Sequence, residues 1–207
     1  IEEEEKIEKF IKKLQTDIVE VYSPPRLVKE AKRYGLRGGE SMDLRTGWDF
    51  TRQSHREAAE RYVDRVEPRL LIGSPECRLF SSLQNLRRDK NTVKFQAEME
   101  EAKNHMKFVA KLYEKQIQGG RWFLHEHPVA ATSWQLEEIM ELAKKENVVL
   151  SIADQCMYGL TLTGAPRDTF CRKPMRVQTS LPALEQLVRH CPGPHLSHHH
   201  EHALGSR

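Results

Sequence analysis

The sequence predicts an α/β protein built on a doubly wound, mostly parallel sheet of the Rossmann-like kind. Short apolar or β-branched stretches alternate along the chain with longer amphipathic ones, which is the pattern of repeated strand–helix units. Two predicted strands, "RLLIGS" and "NVVLSIAD", are mostly apolar, as expected of parallel strands that are buried on both faces. Polar residues follow several predicted strands, and sheets of this kind bind ligands at that edge.

Each element is predicted from a local signal. The predicted strands are residues 17–22, 39–43, 69–74, 121–126 and 147–154. The predicted helices are residues 27–34, 54–66, 90–118, 133–146 and 181–190. Ser54 and Ser133 are candidate N-caps of two of these helices, because a serine hydroxyl can accept a hydrogen bond from the first helical turn. Gly119 and Gly120 end the longest helix, since glycine readily adopts the backbone conformation of a helix terminus.

Composition favours one intracellular domain of moderate size. The chain has 207 residues, and its formal net charge of +3 is too small to indicate nucleic-acid binding by itself. The four cysteines are widely spaced and form no Cys-x-x-Cys pair, so reduced thiols in the cytoplasm or nucleus are expected rather than a disulfide framework. No apolar run approaches the length of a membrane span, and no span is expected.

Three regions are predicted. Residues 1–16 form an amphipathic helix whose apolar stripe packs on the domain or on a partner protein; the stripe consists of Ile7, Phe10, Ile11 and Leu14. Residues 17–165 form the α/β domain, and residues 166–207 form an irregular C-terminal extension with a His-rich tail.

Cys77 is the first candidate for chemistry. It follows the predicted strand 69–74 at a Gly-Ser-Pro turn, near the start of the next element. A helix N-terminus at this point, together with Arg78, would lower the pKa of the Cys77 thiol and favour the nucleophilic thiolate. The alternative is a packed, unreactive cysteine, because free cysteines are among the most buried side chains.

Glu126 is the second candidate. It ends the predicted strand 121–126 between His125 and His127, and a partly desolvated carboxyl group at such a strand exit would have a raised pKa. A protonated carboxyl group can then protonate a substrate nitrogen. The alternative is a structural glutamate satisfied by Arg121 or by a loop amide.

Acidic residues also follow the second predicted strand. Asp43 lies where nucleotide-binding sheets place the carboxylate that binds a ribose hydroxyl, although aspartate also caps turns, and Asp49 follows closely. No Gly-x-Gly-x-x-Gly follows the first strand, which disfavours a dinucleotide.

Several of these segments resemble motifs of the cytosine-C5 DNA methyltransferases. "GSPECRLFS" is similar to that family's nucleophile motif, "FLHEHP" to its Glu-Asn-Val strand end and "ADQCMYG" to a later motif with a glutamine. "YSPPR", "GWDF" and "DQCMYGL" also resemble a divergent methyltransferase-like group found in retroelement-rich genomes. The resemblance covers about residues 18 to 195.

The resemblance implies a methyltransferase fold, S-adenosylmethionine (AdoMet) as cofactor and cytosine in nucleic acid as substrate. The catalytic residues it implies are Cys77, Glu126 and Arg121. The cofactor-binding residues are Tyr22, Ser23, Asp43, Asp49, Phe50, Gly73 and Pro75. The residues expected to contact nucleic acid are Arg78, Arg87, Arg88 and Gln155. The alternative is an inactive module of this fold that binds a protein partner through its N-terminal helix.

The C-terminal tail contains a weak metal-binding pattern. Cys191 and His195 have the spacing of half a zinc site, and Cys156 or Cys171 could supply a further thiolate. Because the remaining ligand spacing is loose, a solvated His-rich tail is the preferred interpretation and no metal is expected.

Overall fold

A computed structural model of the chain describes residues 16–81, 84, 92–166, 168–194 and 198–201. The predicted N-terminal helix, with its apolar stripe, lies outside the described residues, as do Arg87, Arg88 and His195. The eight strands are β1 (Ile18–Val21), β2 (Gly38–Met42), β3 (Leu70–Gly73), β4 (Trp122–Pro128), β5 (Val149–Asp154), β6 (Thr169–Cys171), β7 (Pro174–Thr179) and β8 (His199–Glu201). The α-helices are α1 (Leu27–Ala31), α2 (Gln53–Val66), α3 (Val93–Gln118) and α4 (Glu137–Ala143).

The main sheet has six strands in the order β2-β1-β3-β4-β7-β5. Strands β2, β1, β3 and β4 pair in parallel, whereas β7 is antiparallel to both β4 and β5. The α/β class is therefore confirmed, but the sheet is mixed. Strand β7 was missed because the apolar–polar alternation of "PMRVQT" is short, begins at a proline and lies in a stretch rich in Gly, Pro and Arg.

Strand β7 also corrects the predicted domain boundary at residue 165. It belongs to the segment assigned to the C-terminal extension, yet it lies between β4 and β5 within the main sheet. The α/β unit therefore extends at least to Thr179. Beyond the sheet, β6 and β8 form a separate parallel pair.

The core lies between one face of the sheet and helices α2, α3 and α4. Its fully buried members include Val19, Val21, Leu71, Phe123, Ala59, Val63, Val109, Leu112 and Tyr113. The other face carries α1, which packs against β1 and β2. Because the longer described helices lie on one face, double winding is not clearly developed. Among the described residues, no helix is both long enough and apolar enough to cross a membrane.

Several helix boundaries differ from the predicted ones, and neither Ser54 nor Ser133 is an N-cap. Helix α2 begins at Gln53 rather than at Ser54, and the hydroxyl of Thr92 caps α3 by accepting a hydrogen bond from the Phe95 amide. Around Ser133 the chain forms a 3-10 turn, Thr132–Gln135, before α4 begins at Glu137. A 3-10 helix, Pro182–Leu187, replaces the predicted helix 181–190.

The end of β3 passes directly over α3 at Gly73. A Cβ atom added there would overlap the Tyr113 hydroxyl and would lie 2.9 Å from Val109 Cγ2. The Tyr113 hydroxyl itself lies 3.1 Å from Nδ1 of the buried His125. Gly73 therefore permits the close approach of the helix to the strand.

We expect Gly73→Ala to lower the free energy of unfolding by about 1–3 kcal/mol, the usual effect of overpacking a well-filled core. Urea denaturation measures this change. Combining it with Tyr113→Phe removes the overlapping oxygen, so the double variant should be more stable than the sum of the two single effects predicts. An unchanged denaturation midpoint in Gly73→Ala would contradict this packing.

Candidate functional site

A crevice opens at the carboxyl ends of β1, β2 and β3. In chain order β1 is followed by β2 on one side and later by β3 on its other side, so β1 lies at the switch point where α/β sheets bind ligands. The crevice has a volume of about 430 Å³, which suits a small organic ligand. Its lining includes Tyr22, Asp43, Trp48, Asp49, Phe50, Ser74, Glu76, Arg78, Glu98, Glu101 and His105.

Aromatic side chains form one wall of this crevice. Tyr22, directly after β1, has a φ of 58°, a left-handed conformation that non-glycine residues rarely adopt. Its ring centroid lies 4.8 Å from that of Phe50, and the Trp48 ring lies 6.1 Å from Phe50. The Tyr22 hydroxyl lies 2.9 Å from His105 Nδ1. Burial raises the pKa of Tyr22 and lowers that of His105, so both side chains are held neutral.

Carboxylates dominate the rest of the lining. Asp43 accepts a hydrogen bond from the Arg45 amide and caps a short turn, while Asp49 pairs with Arg52 at 3.1 Å. Hydrogen bonds from Thr51 lower the pKa of Asp49, so it is ionised. The five acidic residues of the lining are Asp43, Asp49, Glu76, Glu98 and Glu101. This excess of negative charge favours a cationic ligand over a phosphate.

The backbone amides after β1 are hydrogen-bonded to a side chain of β1 itself. The buried Glu20 accepts hydrogen bonds from the backbone amides of Arg26 and Val28 and from the Ser23 hydroxyl. Pro24 and Pro25 carry no amide hydrogen. The amides that an anion-binding loop would offer are therefore used internally, and Ser23 faces Glu20 rather than the crevice.

Cys77 lies beside the crevice, since its neighbours Glu76 and Arg78 both line it. Burial raises the pKa of the Cys77 thiol, and the Glu126 and Glu76 carboxylates add to this effect against Lys173. This corrects the expected lowering. Arg78 is engaged by Glu76 at 3.2 Å, and the helix that follows, Arg78–Phe80, is a single 3-10 turn without the dipole of a long helix.

Glu126 lies within β4, near its carboxyl end, because the strand continues to Pro128 rather than ending at residue 126 as predicted. Its Oε1 atom is buried and has no hydrogen-bond partner. Burial raises the pKa of Glu126, as expected from the sequence, while Lys173 and Arg26 act in the opposite direction. A raised pKa and an unsatisfied oxygen are properties of a carboxyl group that can donate a proton to, or share one with, a ligand. Cys77 and Glu126 lie close enough for the glutamate charge to act on the thiol.

His127 positions the turn that carries Cys77. Its Nε2 atom lies 2.8 Å from the Pro75 carbonyl oxygen and its Nδ1 atom lies 2.7 Å from the Ser133 hydroxyl. Burial lowers the pKa of His127 to about 4, so the ring is neutral and its Nε2–H donates to Pro75. Sequence reasoning placed Pro75 at the cofactor; its carbonyl instead binds His127.

Arg121 lies at the opposite edge of the sheet. It precedes β4, donates to Gln116 Oε1 at 3.0 Å and pairs with Glu67 at 3.2 Å. Because a five-residue stretch of strand spans about 16 Å, Arg121 and Glu126 cannot contact the same small group. The structure does not bring this predicted catalytic residue to the site.

Gln155 and Lys173 lie at the end of the sheet that carries Cys77 and Glu126. The Gln155 amide donates to the carbonyl of Lys173 at 3.1 Å, and the Gln155 side chain contacts Met175. Lys173 is exposed, and its charge acts on Cys77, Glu126 and His127. Sequence reasoning missed Lys173 and His105, since neither stands in a motif. It named His127 within "FLHEHP" but gave it no role, because its contacts with Pro75 and Ser133 depend on the fold.

A second cluster of titratable groups lies in the C-terminal part. Ligand atoms of Cys156, Cys191, His198 and His200 all lie within 4.8 Å of one another. Of the two thiols considered from the sequence, Cys156 joins Cys191, whereas Cys171 belongs to β6 and is not part of the cluster. The four side chains are of the types that bind transition metals.

The fold thus defines an α/β protein with a crevice at the switch point of a mixed sheet, which is its candidate ligand site. No protein-family model matches the chain, and no curated protein matches it significantly.

Proposed function

We propose that this chain is an AdoMet-dependent methyltransferase-like protein that methylates C5 of cytosine in nucleic acid through a covalent intermediate on Cys77. The observation that carries the proposal is the pairing of Cys77 with Glu126 at one sheet edge, where Glu126 Oε1 is buried without a hydrogen-bond partner. The motif resemblance supports the same two residues.

The charge and the aromatic lining of the crevice support AdoMet as its ligand. AdoMet carries a sulfonium cation and an adenine ring, which match the acidic lining and the aromatic wall of Tyr22, Trp48 and Phe50. We assign the ribose hydroxyl to Asp43, which follows β2 and lines the crevice. When bound, AdoMet supplies the methyl group. Gly73 faces α3 and does not line the crevice.

The residues of the site supply the rest of the chemistry. With the cytosine out of the base stack, the Cys77 thiolate forms a bond to C6 while protonated Glu126 donates to N3, which accommodates the electron pair pushed into the ring. C5 would then take the methyl group as the methyl–sulfur bond breaks and S-adenosylhomocysteine leaves. A base takes the C5 proton, the Cys77–C6 bond breaks to restore the thiolate, and N3 returns its proton to Glu126. The proposal assigns contacts with the phosphate backbone to Arg78, Lys173 and Gln155, and the support for Lys173 is that it is exposed and its charge reaches Cys77.

Calorimetric titration with AdoMet tests the cofactor site. We expect binding in the micromolar range for the wild-type chain, and at least about tenfold weaker binding for Trp48→Ala, which removes an aromatic contact. Asp43→Asn should weaken binding by a similar factor while keeping an oxygen that can cap the turn. Asp64→Asn on α2, far from the crevice, is the control and should bind as the wild type does. Absence of heat in the wild type at high ligand concentration would contradict the proposal.

A second candidate is a binding module that has lost catalysis. Two observations favour it: the raised pKa of Cys77, and the turn after β1 whose amides are used by Glu20. Such a module would still bind nucleic acid or a protein but would leave Cys77 unmodified by a mechanism-based substrate.

A further inference from the structure

The C-terminal Cys/His cluster has the geometry of a metal centre. Cys191 Sγ lies 3.4 Å from His198 Nε2 and 3.3 Å from His200 Nε2, and the two Nε2 atoms are 3.0 Å apart. A zinc ion with Zn–S bonds of about 2.3 Å and Zn–N bonds of about 2.0–2.1 Å requires ligand separations of about 3.3–3.8 Å in a tetrahedron. These three separations are close to such edges, and the Cys156 thiol lies within 4.8 Å of each of the other three ligand atoms.

The composition of the cluster selects the metal. Two thiolates and two imidazoles, Cys156, Cys191, His198 and His200, form the S₂N₂ set that is typical of tetrahedral zinc. The two thiolate charges would balance Zn²⁺, so the neutral centre can be held partly buried, as Cys156 and His198 are. All four positions are filled by protein atoms, which characterises structural rather than catalytic zinc.

Outer contacts already orient the ligands. The Cys191 amide donates to Asp154 Oδ2 at 2.8 Å, and the Gly193 amide donates to Cys191 Sγ at 3.4 Å. The Phe170 ring stacks on His198, with centroids 4.7 Å apart and an interplanar angle of 21°. Such contacts support metal ligands by fixing their orientation before the ion binds.

We propose that Cys156, Cys191, His198 and His200 bind one structural zinc ion that fastens the C-terminal segment to the edge of the main sheet. Cys156 belongs to the turn Gln155–Tyr158 that follows β5, and His200 lies on β8. The ion would therefore join the turn beside Gln155 to the small β6–β8 pair. This inference is independent of the proposed methyl transfer.

Metal analysis of the full chain tests the site. We expect about one equivalent of zinc per chain in the wild type after dialysis, with loss of most of it in Cys191→Ser and His200→Ala. The matched controls are Cys171→Ser, a buried cysteine outside the cluster, and His199→Ala, the exposed neighbour of His200 on β8. Both controls should retain the zinc. Chelation should lower the melting temperature of the wild type and leave that of Cys191→Ser unchanged.

Cobalt binding to the wild-type chain tests the same site without relying on any variant, so it remains informative if a variant fails to fold. Co²⁺ added to the metal-free wild-type chain should give the strong visible absorption of tetrahedral coordination and a thiolate-to-cobalt charge-transfer band. A wild-type chain without bound zinc and without this spectrum would overturn the proposal. So would equal zinc content in the wild type, Cys191→Ser and His200→Ala, or a Cys156–Cys191 disulfide in the purified, metal-free chain.

Discussion

Replacing Cys77 with alanine is expected to abolish methyl transfer, with a rate loss on the order of 10⁴-fold or more, as for removal of other enzymatic nucleophiles. The physical reason is that C5 of cytosine is a poor nucleophile until a bond at C6 makes the ring electron-rich. No other described cysteine can replace Cys77 as the nucleophile, since Cys156 and Cys191 belong to the C-terminal Cys/His cluster and Cys171 lies on β6. Transfer of radiolabelled methyl from AdoMet to cytosine-containing DNA and RNA measures the effect.

Cys171→Ala is the matched control for this change, because it removes a thiol of the same kind at a buried position away from Cys77. It should retain activity close to that of the wild type. If Cys77→Ala retained the wild-type rate, covalent catalysis by this residue would be excluded.

Replacing Glu126 with glutamine is expected to lower the rate by about 10²–10³-fold, the range usual for loss of a general acid. The amide fills the same space but cannot supply an acidic proton to N3. Burial raises the pKa of Glu126, so the protonated, donating form persists to a higher pH than for an exposed glutamate. The Glu126 contribution to the rate therefore decreases as pH rises through this raised pKa.

The pH profile separates this chemical role from a structural one. Activity needs protonated Glu126 together with ionised Cys77, whose own pKa is raised by burial, so the wild-type profile should be bell-shaped. In Glu126→Gln only the ionisation of Cys77 still controls the rate, so the rate should rise with pH and then stay level instead of falling again. Glu114→Gln on α3, far from the edge, should keep the bell shape. A bell-shaped profile in Glu126→Gln would contradict the assignment.

The arrangement of strand ends could be predicted from the sequence because it depends on local signals. Apolar strands followed by polar residues identified Cys77 and Glu126, and the parallel order of β1, β3 and β4 brings both to one edge. Asp43, Asp49, Phe50 and Tyr22 were likewise expected together, and all four line one crevice.

Long-range features could not be predicted in this way. The antiparallel insertion of β7 depends on pairing with β4 and β5, which no local pattern encodes. Arg121 was assigned as catalytic by the motif resemblance, but it precedes β4 and lies at the opposite end of that strand from Glu126. The pKa of Cys77 depends on burial and on Glu126, and only the folded chain brings these together.

The C-terminal Cys/His cluster also depends on long-range contacts that the sequence does not show. Cys191 was recognised as a candidate ligand, but Cys156 lies far from it in sequence, and His198 and His200 could not be distinguished from their histidine neighbours. The turn after β5 and strand β8 bring these side chains together, and their meeting depends on the pairing of β8 with β6.

The most direct test of the account is intact-mass analysis of the chain after incubation with AdoMet and single-stranded DNA or RNA that contains 5-fluorocytosine. Fluorine at C5 prevents proton loss, so the bond between Cys77 and C6 cannot break once the methyl group has been transferred. We predict a species with the combined mass of the chain, the oligonucleotide and one methyl group, which is present in the wild type and absent in Cys77→Ala. An unmodified wild-type chain with both DNA and RNA would contradict the proposed chemistry and favour the binding module.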